Sequence, residues 1–138
     1  MNDRTIYITK FDLERLEQLL EKEMTFDSRD RLDLEELEKE LSRGIVVDSK
    51  KVPANVVTMN SKVRLLDLDT NKEMVVTLVF PLSADIDRNR ISIVSPVGTA
   101  ILGYSAGDEV EWKVPAGIRR IRIEEILYQP EASGHYSI

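Results

Sequence analysis

The sequence predicts an α+β fold, in which a short antiparallel helical hairpin precedes an antiparallel β-sheet packed on a short helix. Three observations predict it. Leucines recur at helical spacing over the first third of the chain, the apolar period shortens to two after Gly44, and a Ser-Pro pair lies among the later strands. The 138 residues, 42% of them hydrophobic, are enough to build the core of one compact domain, or of a small domain with an appendage.

Two helices are predicted between Thr9 and Gly44. Thr9 is followed three residues later by Asp12, which resembles a capping box. The first apolar stripe is formed by Leu13, Leu16, Leu20 and Met24. The second stripe is formed by Leu34, Leu37 and Leu41, and Gly44 stands where a helix would end. Because the connection is short and polar, we expect an antiparallel coiled coil with both stripes at its seam.

Strands are predicted where apolar side chains alternate along the rest of the chain. Residues 74–80 are apolar at nearly every position, which indicates a strand covered on both faces. Further strands are centred on Val63, Ile91, Val110 and Ile121, and short polar turns between them favour antiparallel pairing. Ser95 followed by Pro96 is typical of a helix start, so residues 97–102 are predicted as one or two helical turns.

The change of period divides the chain into a helical hairpin over residues 1–50 and a β-rich domain over residues 51–138. The hairpin carries 14 acidic and 9 basic residues, a net charge of −5, while the whole chain has −6. A surface that binds duplex nucleic acid presents clustered Lys and Arg, so direct sequence-specific binding to nucleic acid is not expected. The acidic hairpin suits either a basic groove on a protein partner or simply solubility.

Several kinds of site lack the residues that they require. The chain has no cysteine and a single histidine, which excludes a disulfide framework and a thiolate or multi-histidine metal site. That histidine, His135, is expected to be exposed and outside any catalytic triad. We therefore predict no catalytic residue, metal or cofactor. Since no membrane-spanning run or signal peptide is visible, a cytoplasmic protein without membrane association is expected.

Several later motifs resemble the C-terminal domain of the GreA/GreB transcript-cleavage factors. The segment from Ser92 to Gly103 reads SIVSPVGTAILG, and it lies between an LDLDT turn that begins at Leu66 and a GDEV turn that begins at Gly107. The likeness is greatest to the short-armed subfamily, the regulators of nucleoside diphosphate kinase. Two further segments resemble that subfamily: VTMNSKV, which starts at residue 57, and YQPEA, which starts at residue 128.

The resemblance implies an FKBP-like sheet wrapped on a short helix, preceded by an antiparallel coiled coil. Gre proteins dock this globular domain at the rim of the secondary channel of RNA polymerase and send the coiled coil inward, where tip carboxylates help to hold magnesium for RNA cleavage. By resemblance, the polymerase-binding segment consists of Ser92, Val94, Ser95 and Pro96. Some Gre factors carry an acidic residue where this chain has Val94, so an apolar contact is expected there instead.

The predicted hairpin tip carries four candidate contact residues: Phe26, Asp27, Asp30 and Asp33. Each predicted helix has roughly 14 residues and a length of about 21 Å, around half that of the Gre arms. A carboxylate outside coordination distance cannot share a metal, so we predict no stimulation of cleavage. Asp27 and Asp30 also suit capping of the second helix, and Phe26 suits packing over the hairpin end.

The leading hypothesis is a non-enzymatic transcription regulator that binds RNA polymerase near the secondary channel and competes with Gre-type factors. One alternative is a peptidyl-prolyl isomerase, indicated only by the FKBP-like fold. Another is weak Gre-like cleavage activity, with Asp27 or Asp30 as metal ligands.

Three further expectations concern the end of the chain. Arg119, Arg120 and Arg122 form a basic cluster that is either balanced by Glu124 or contacts an acidic polymerase surface. Trp112 is expected in the core, between two valines of its strand. Residues 130–138 are expected to be loosely structured.

Overall fold

A computed structural model describes residues 6–24, 31–114, 117–136 and 138, with the side chains of residues 22–24, 31–34 and 112–114 left outside the description. Within these ranges the predicted α+β class is confirmed, since three α-helices accompany the strands. The elements in chain order are β1 (Tyr7–Thr9), α1 (Lys10–Met24), α2 (Arg31–Ser42), β2 (Ile45–Val47), β3 (Lys62–Asp67), β4 (Lys72–Val79), β5 (Arg90–Ser92), α3 (Pro96–Ile101), β6 (Glu109–Val114) and β7 (Gly117–Tyr128).

The main sheet has five strands in the order β5-β4-β3-β7-β6. Strand β3 is antiparallel to β4 and β7, and β6 is antiparallel to β7, as predicted. The prediction of a wholly antiparallel sheet is wrong for β5, which runs parallel to β4. A two-residue hairpin would have reversed the chain, whereas residues 80–89 form two 3-10 turns, Pro81–Ser83 and Ile86–Arg88, that let it re-enter in the same direction.

A second, two-stranded sheet pairs β1 with β2 in parallel. The sequence did not predict it, because three-residue strands are too short to show an alternating pattern. The Tyr7 N–H also donates to the Gly103 carbonyl at 3.1 Å, which joins this sheet to the end of α3. Gly103 has φ +83°, and an added Cβ would lie 2.9 Å from the Ile6 side chain, so the close approach requires glycine.

One hydrophobic core extends from the helices into the sheet. Leu16, Leu20, Leu37 and Leu41 are buried in it, as predicted for the seam, and they share it with residues of both sheets. The predicted burial of both faces of β4 is wrong at its start, since Met74 is 40% exposed whereas Leu78 is fully buried. Met74 and Leu78 lie on the same face of β4, so the difference is one of position along the strand: its first residues are exposed, whereas Leu78 and Val79, on opposite faces, are both buried.

Two expectations on apolar side chains lie outside the described side chains: Trp112 as a core residue, and Met24 and Leu34 as seam residues. Among the described helices, none is long and apolar enough to cross a membrane.

Candidate functional site

The segment that leads from β5 into α3 is held by hydrogen bonds of its own serines. The Ser95 hydroxyl accepts from the Gly98 N–H at 3.1 Å and donates to the Ser92 carbonyl at 2.6 Å. The Ser92 hydroxyl accepts from the Val94 N–H at 3.2 Å. This confirms the predicted cap of α3 by Ser95, with Pro96 in the first turn. Both hydroxyls are therefore committed within the segment.

Close packing fixes α3 against the strand before it. The Thr99 hydroxyl donates to the Ile93 carbonyl at 2.8 Å. A Cβ added at Gly98 would lie 2.2 Å from the Ser92 carbonyl oxygen, so only glycine lets the helix approach the backbone this closely. Of the four predicted docking residues, Pro96 is exposed and the other three are half-buried, with Val94 packed against the core. The segment is therefore held in one conformation, with Pro96 at the surface.

Two exposed apolar side chains near β5 were missed by the sequence analysis. Leu82 is fully exposed and Ile86 is 85% exposed, and both lie in the 3-10 turns that contact β5. The available signal was the presence of a leucine and an isoleucine between the strands predicted around residues 74–80 and Ile91. The turns that contact β5 therefore add two apolar side chains to the surface.

A buried carboxylate joins α1 to the segment that enters the main sheet. The Thr9 hydroxyl accepts from the Asp12 N–H at 3.1 Å, which confirms Thr9 as the helix cap. The Asp12 carboxylate is 1% exposed and accepts from the Met59 N–H at 3.0 Å and from Arg15 at 2.6 Å. Burial raises the pKa of Asp12, although both of these hydrogen bonds oppose the rise.

Arg15 connects three separate parts of the chain. Its guanidinium carbon lies 3.9 Å from the centre of the Phe11 ring and 4.8 Å from that of Phe80, which follows β4. The same guanidinium donates to the carbonyl of Ile138 at 3.1 Å. The sequence offered only the spacing of three between Asp12 and Arg15 as a signal.

Residues 129–132 are held against the segment that leads to β3. The Thr58 hydroxyl donates to Glu131 at 2.7 Å, and the Gln129 amide donates to the carbonyls of Pro53 and Val56, both at 2.8 Å. Burial raises the pKa of Glu131, and the negative charge of Asp12 adds to the rise. The prediction of a loosely structured tail is wrong here, because these side chains satisfy buried polar groups.

The arginine cluster near β7 is paired within the protein. Arg122 pairs with Glu124 at 3.1 Å, which agrees with one of the two interpretations left open. The other two arginines pair instead with acidic residues at the end of β3 and in the turn after it: Arg119 with Asp67, and Arg120 with Asp69 at 3.2 Å.

Asp67 also organises the turn that follows β3. Desolvation alone would raise the pKa of Asp67. The N–H groups of Asp69 and Thr70 donate hydrogen bonds to its carboxylate and the Arg119 guanidinium pairs with it, and together they hold the pKa of Asp67 below its usual range.

Little of the predicted hairpin tip falls within the described residues. Phe26, Asp27 and Asp30 lie outside them, and Asp33 lies in α2 with its side chain outside the description. No group of three or more His, Cys, Asp or Glu side chains in the described part of the chain could hold a metal ion. His135 is exposed, as predicted, and its Nδ1 lies 2.6 Å from the Tyr128 hydroxyl.

Comparison with protein families gives two matches that divide the chain. The family described as "Transcription elongation factor, GreA/GreB, C-term" matches residues 52–128, which include the Ser92–Pro96 segment. The family described as "Rnk N-terminus" matches residues 4–47, which include both long helices.

Individual relatives cover different shares of the chain. The "Regulator of nucleoside diphosphate kinase" of Escherichia coli strain K12 is 36% identical over 137 residues, which are 99% of this chain and 98% of the relative. The "Transcription elongation factor GreA" of Thermodesulfovibrio yellowstonii is 38% identical over 96 residues, 70% of this chain and 61% of that relative. A solved GreA/GreB structure from Nitrosomonas europaea is 43% identical, with a TM-score of 0.73 over 90% of this chain and 100% of that chain.

Proposed function

Since the chain belongs to the GreA/GreB family of transcription elongation factors and matches the Rnk group along its whole length, we propose that it is a non-enzymatic regulator that binds RNA polymerase near the secondary channel. It competes there with Gre-type factors and does not stimulate transcript cleavage. The relatives are named as a regulator and as elongation factors, which supports a role in transcription. A cytoplasmic location belongs to the same proposal.

The observation that carries the proposal is the geometry of the segment Ser92–Pro96. Its serine hydroxyls form hydrogen bonds within the protein, and Gly98 of α3 lets the helix approach the Ser92 backbone closely. Pro96 is left exposed. A segment that is already held in one conformation loses little conformational entropy when it binds a protein. Competition requires only affinity and overlap with the competing factor, so no reactive group is needed. We therefore assign Ser92, Val94, Ser95 and Pro96 to the polymerase contact.

The domain organisation in this proposal is an arm over residues 1–50 and an FKBP-like domain over residues 51–138. Helices α1 and α2 form the arm as an antiparallel coiled coil, with Phe26, Asp27, Asp30 and Asp33 at its tip. With 15 and 12 residues, the two helices are about 22 and 18 Å long at about 1.5 Å per residue. An arm of this length occupies the channel entrance without bringing its carboxylates to a metal deep inside.

Competition on purified RNA polymerase tests the proposal. A stalled, backtracked elongation complex is incubated with this protein alone, with a GreA factor alone, and with both at increasing ratios. We expect no shortened transcript with this protein alone and progressive loss of GreA-stimulated cleavage in the mixture. Shortened transcripts with this protein alone would show that it is itself a cleavage factor. Undiminished cleavage at a large excess would contradict the shared binding site.

A further inference from the structure

A groove lies between the two long helices, and three of the predicted seam leucines, Leu13, Leu20 and Leu41, line it. Its volume is about 510 Å³. The lining residues are Leu13, Glu17, Leu20 and Glu21 of α1, and Glu38, Leu41 and Ser42 of α2.

The lining combines an apolar floor with an acidic rim. Leu20 and Leu41 are 6% and 7% exposed, and Leu13 is half-buried beside them. The exposed side chains of Glu17 and Glu38 come from opposite helices, so carboxylates stand on both walls. No lysine or arginine is among the described lining residues. An occupant that covers the leucines therefore places its flanks against negative charge on both sides.

We propose that this groove binds a basic amphipathic helix of a protein partner. Such a helix sets an apolar stripe with spacing i, i+3, i+4 and i+7 onto the floor and lysine or arginine on each flank against the rim. Charge complementarity selects this occupant, because exposed unlike charges attract and steer association. A second copy of the chain fits poorly, since the net charge of −6 repels another copy and the described arginines of β7 are already paired.

The groove is distinct from the Ser92–Pro96 segment, so this inference goes beyond the proposed polymerase contact. Loss of polymerase binding would leave the groove proposal unaffected, and failure to bind a basic helix would leave the polymerase proposal unaffected.

Fluorescence anisotropy with a labelled probe peptide tests the inference on the full chain. The probe has 16 residues, with leucine at i, i+3, i+4 and i+7 and lysine at most other positions. A scrambled peptide of the same composition, which has no apolar stripe, is the reference. We expect saturable binding of the probe and at least tenfold weaker binding of the scrambled peptide. Equal binding of the two peptides would overturn the proposal, because it would show attraction by net charge alone.

Matched double variants locate the binding site. The Glu17→Gln, Glu38→Gln variant removes one carboxylate from each wall of the groove. The Glu14→Gln, Glu36→Gln variant is the control: it removes two exposed carboxylates of the same two helices that do not line the groove. We expect about fivefold weaker probe binding by the first pair, the usual effect of losing two exposed ion pairs, and less than twofold change for the second. Equal weakening by both pairs would contradict the proposed site.

Sedimentation velocity tests whether a second copy of the chain occupies the groove instead of a basic helix. If the protein forms a dimer at micromolar concentration and the Glu17→Gln, Glu38→Gln pair changes the dissociation constant, the groove belongs to a second copy and the proposal is wrong. A monomer that binds the probe supports it.

Discussion

The carboxylate of Asp12 accepts a hydrogen bond from the backbone N–H of Met59 at 3.0 Å, across 47 residues of the sequence. This contact fixes the start of α1 to the segment that enters β3. Both groups are buried, and Arg15 supplies the opposite charge at 2.6 Å. Helix α1 is thus joined to the segment before β3 by a polar contact as well as by the apolar core, and the contribution of this contact to stability can be measured without any binding partner.

Replacement of Asp12 by alanine should lower the free energy of unfolding by about 2–3 kcal/mol, because the buried Met59 N–H loses its acceptor and Arg15 loses its ion-pair partner. Urea denaturation followed by circular dichroism measures the change. Glu14→Ala is the matched control on the same helix, since Glu14 is exposed, and it should remain within about 0.5 kcal/mol of the parent. Equal effects of the two substitutions would show that the Asp12 contact contributes nothing specific.

The two buried carboxyls also predict an effect of pH. The pKa of Glu131 is raised above its ordinary value of 4.5 in the folded protein, so the folded state binds this proton more tightly than the unfolded state. Its contribution to stability is present below pH 4.5 and is lost as the pH rises through the folded pKa. The charged groups that act on Glu131 are Asp12 and Arg15, and the pKa of Asp12 is also raised.

Glu131→Gln isolates this effect, since a glutamine oxygen can still accept from Thr58. The measurement is the free energy of unfolding of the parent minus that of Glu131→Gln, taken from neutral pH down to pH 4.5. We expect the difference to shift in favour of the parent as the pH falls. A difference that is constant, or that favours the variant at lower pH, would contradict the raised pKa.

Asp67 should show the opposite dependence on pH. Its pKa is lowered below the ordinary value of 3.8, so its contribution to stability is present above pH 3.8 and is lost as the pH falls through the folded pKa. Asp67→Asn, compared with the parent between pH 6 and pH 2, should therefore be less stable at the upper end and should approach the parent at the lower end. A variant whose deficit stays constant with pH would indicate that the charge of Asp67 is unimportant.

The features that could be predicted from the sequence are those set by neighbouring residues. Ser95 and Pro96 define the start of α3 through local capping, and the leucine spacing places Leu16 and Leu37 at a buried seam. Strand β1 has three residues, too few to show a period.

The contacts that could not be predicted join residues that are distant in the sequence. The parallel entry of β5 depends on how residues 80–89 fold back, and the partners of Asp12 and Glu131 are 47 and 73 residues away. In the candidate docking segment, the sequence indicated the residues, but it did not show that the Ser92 and Ser95 hydroxyls are used internally.

Replacement of Pro96 by alanine should weaken binding to RNA polymerase without unfolding the domain. Pro96 is exposed and alanine is compatible with the first turn of α3, so the free energy of unfolding should change by less than about 0.5 kcal/mol. If the proline ring lies in the proposed contact, its loss should weaken binding by about tenfold, the effect of roughly 1.4 kcal/mol of lost interaction, measured by surface plasmon resonance on core polymerase.

Pro53→Ala is the matched control for this prediction. Pro53 is also exposed, it lies outside the proposed contact, and its carbonyl still accepts from Gln129 after the substitution. We expect Pro53→Ala to bind polymerase as the parent does. If both variants bind with unchanged affinity, Pro96 does not contribute to the contact, and the assignment of the Ser92–Pro96 segment to polymerase would have to be withdrawn even if competition with GreA were observed.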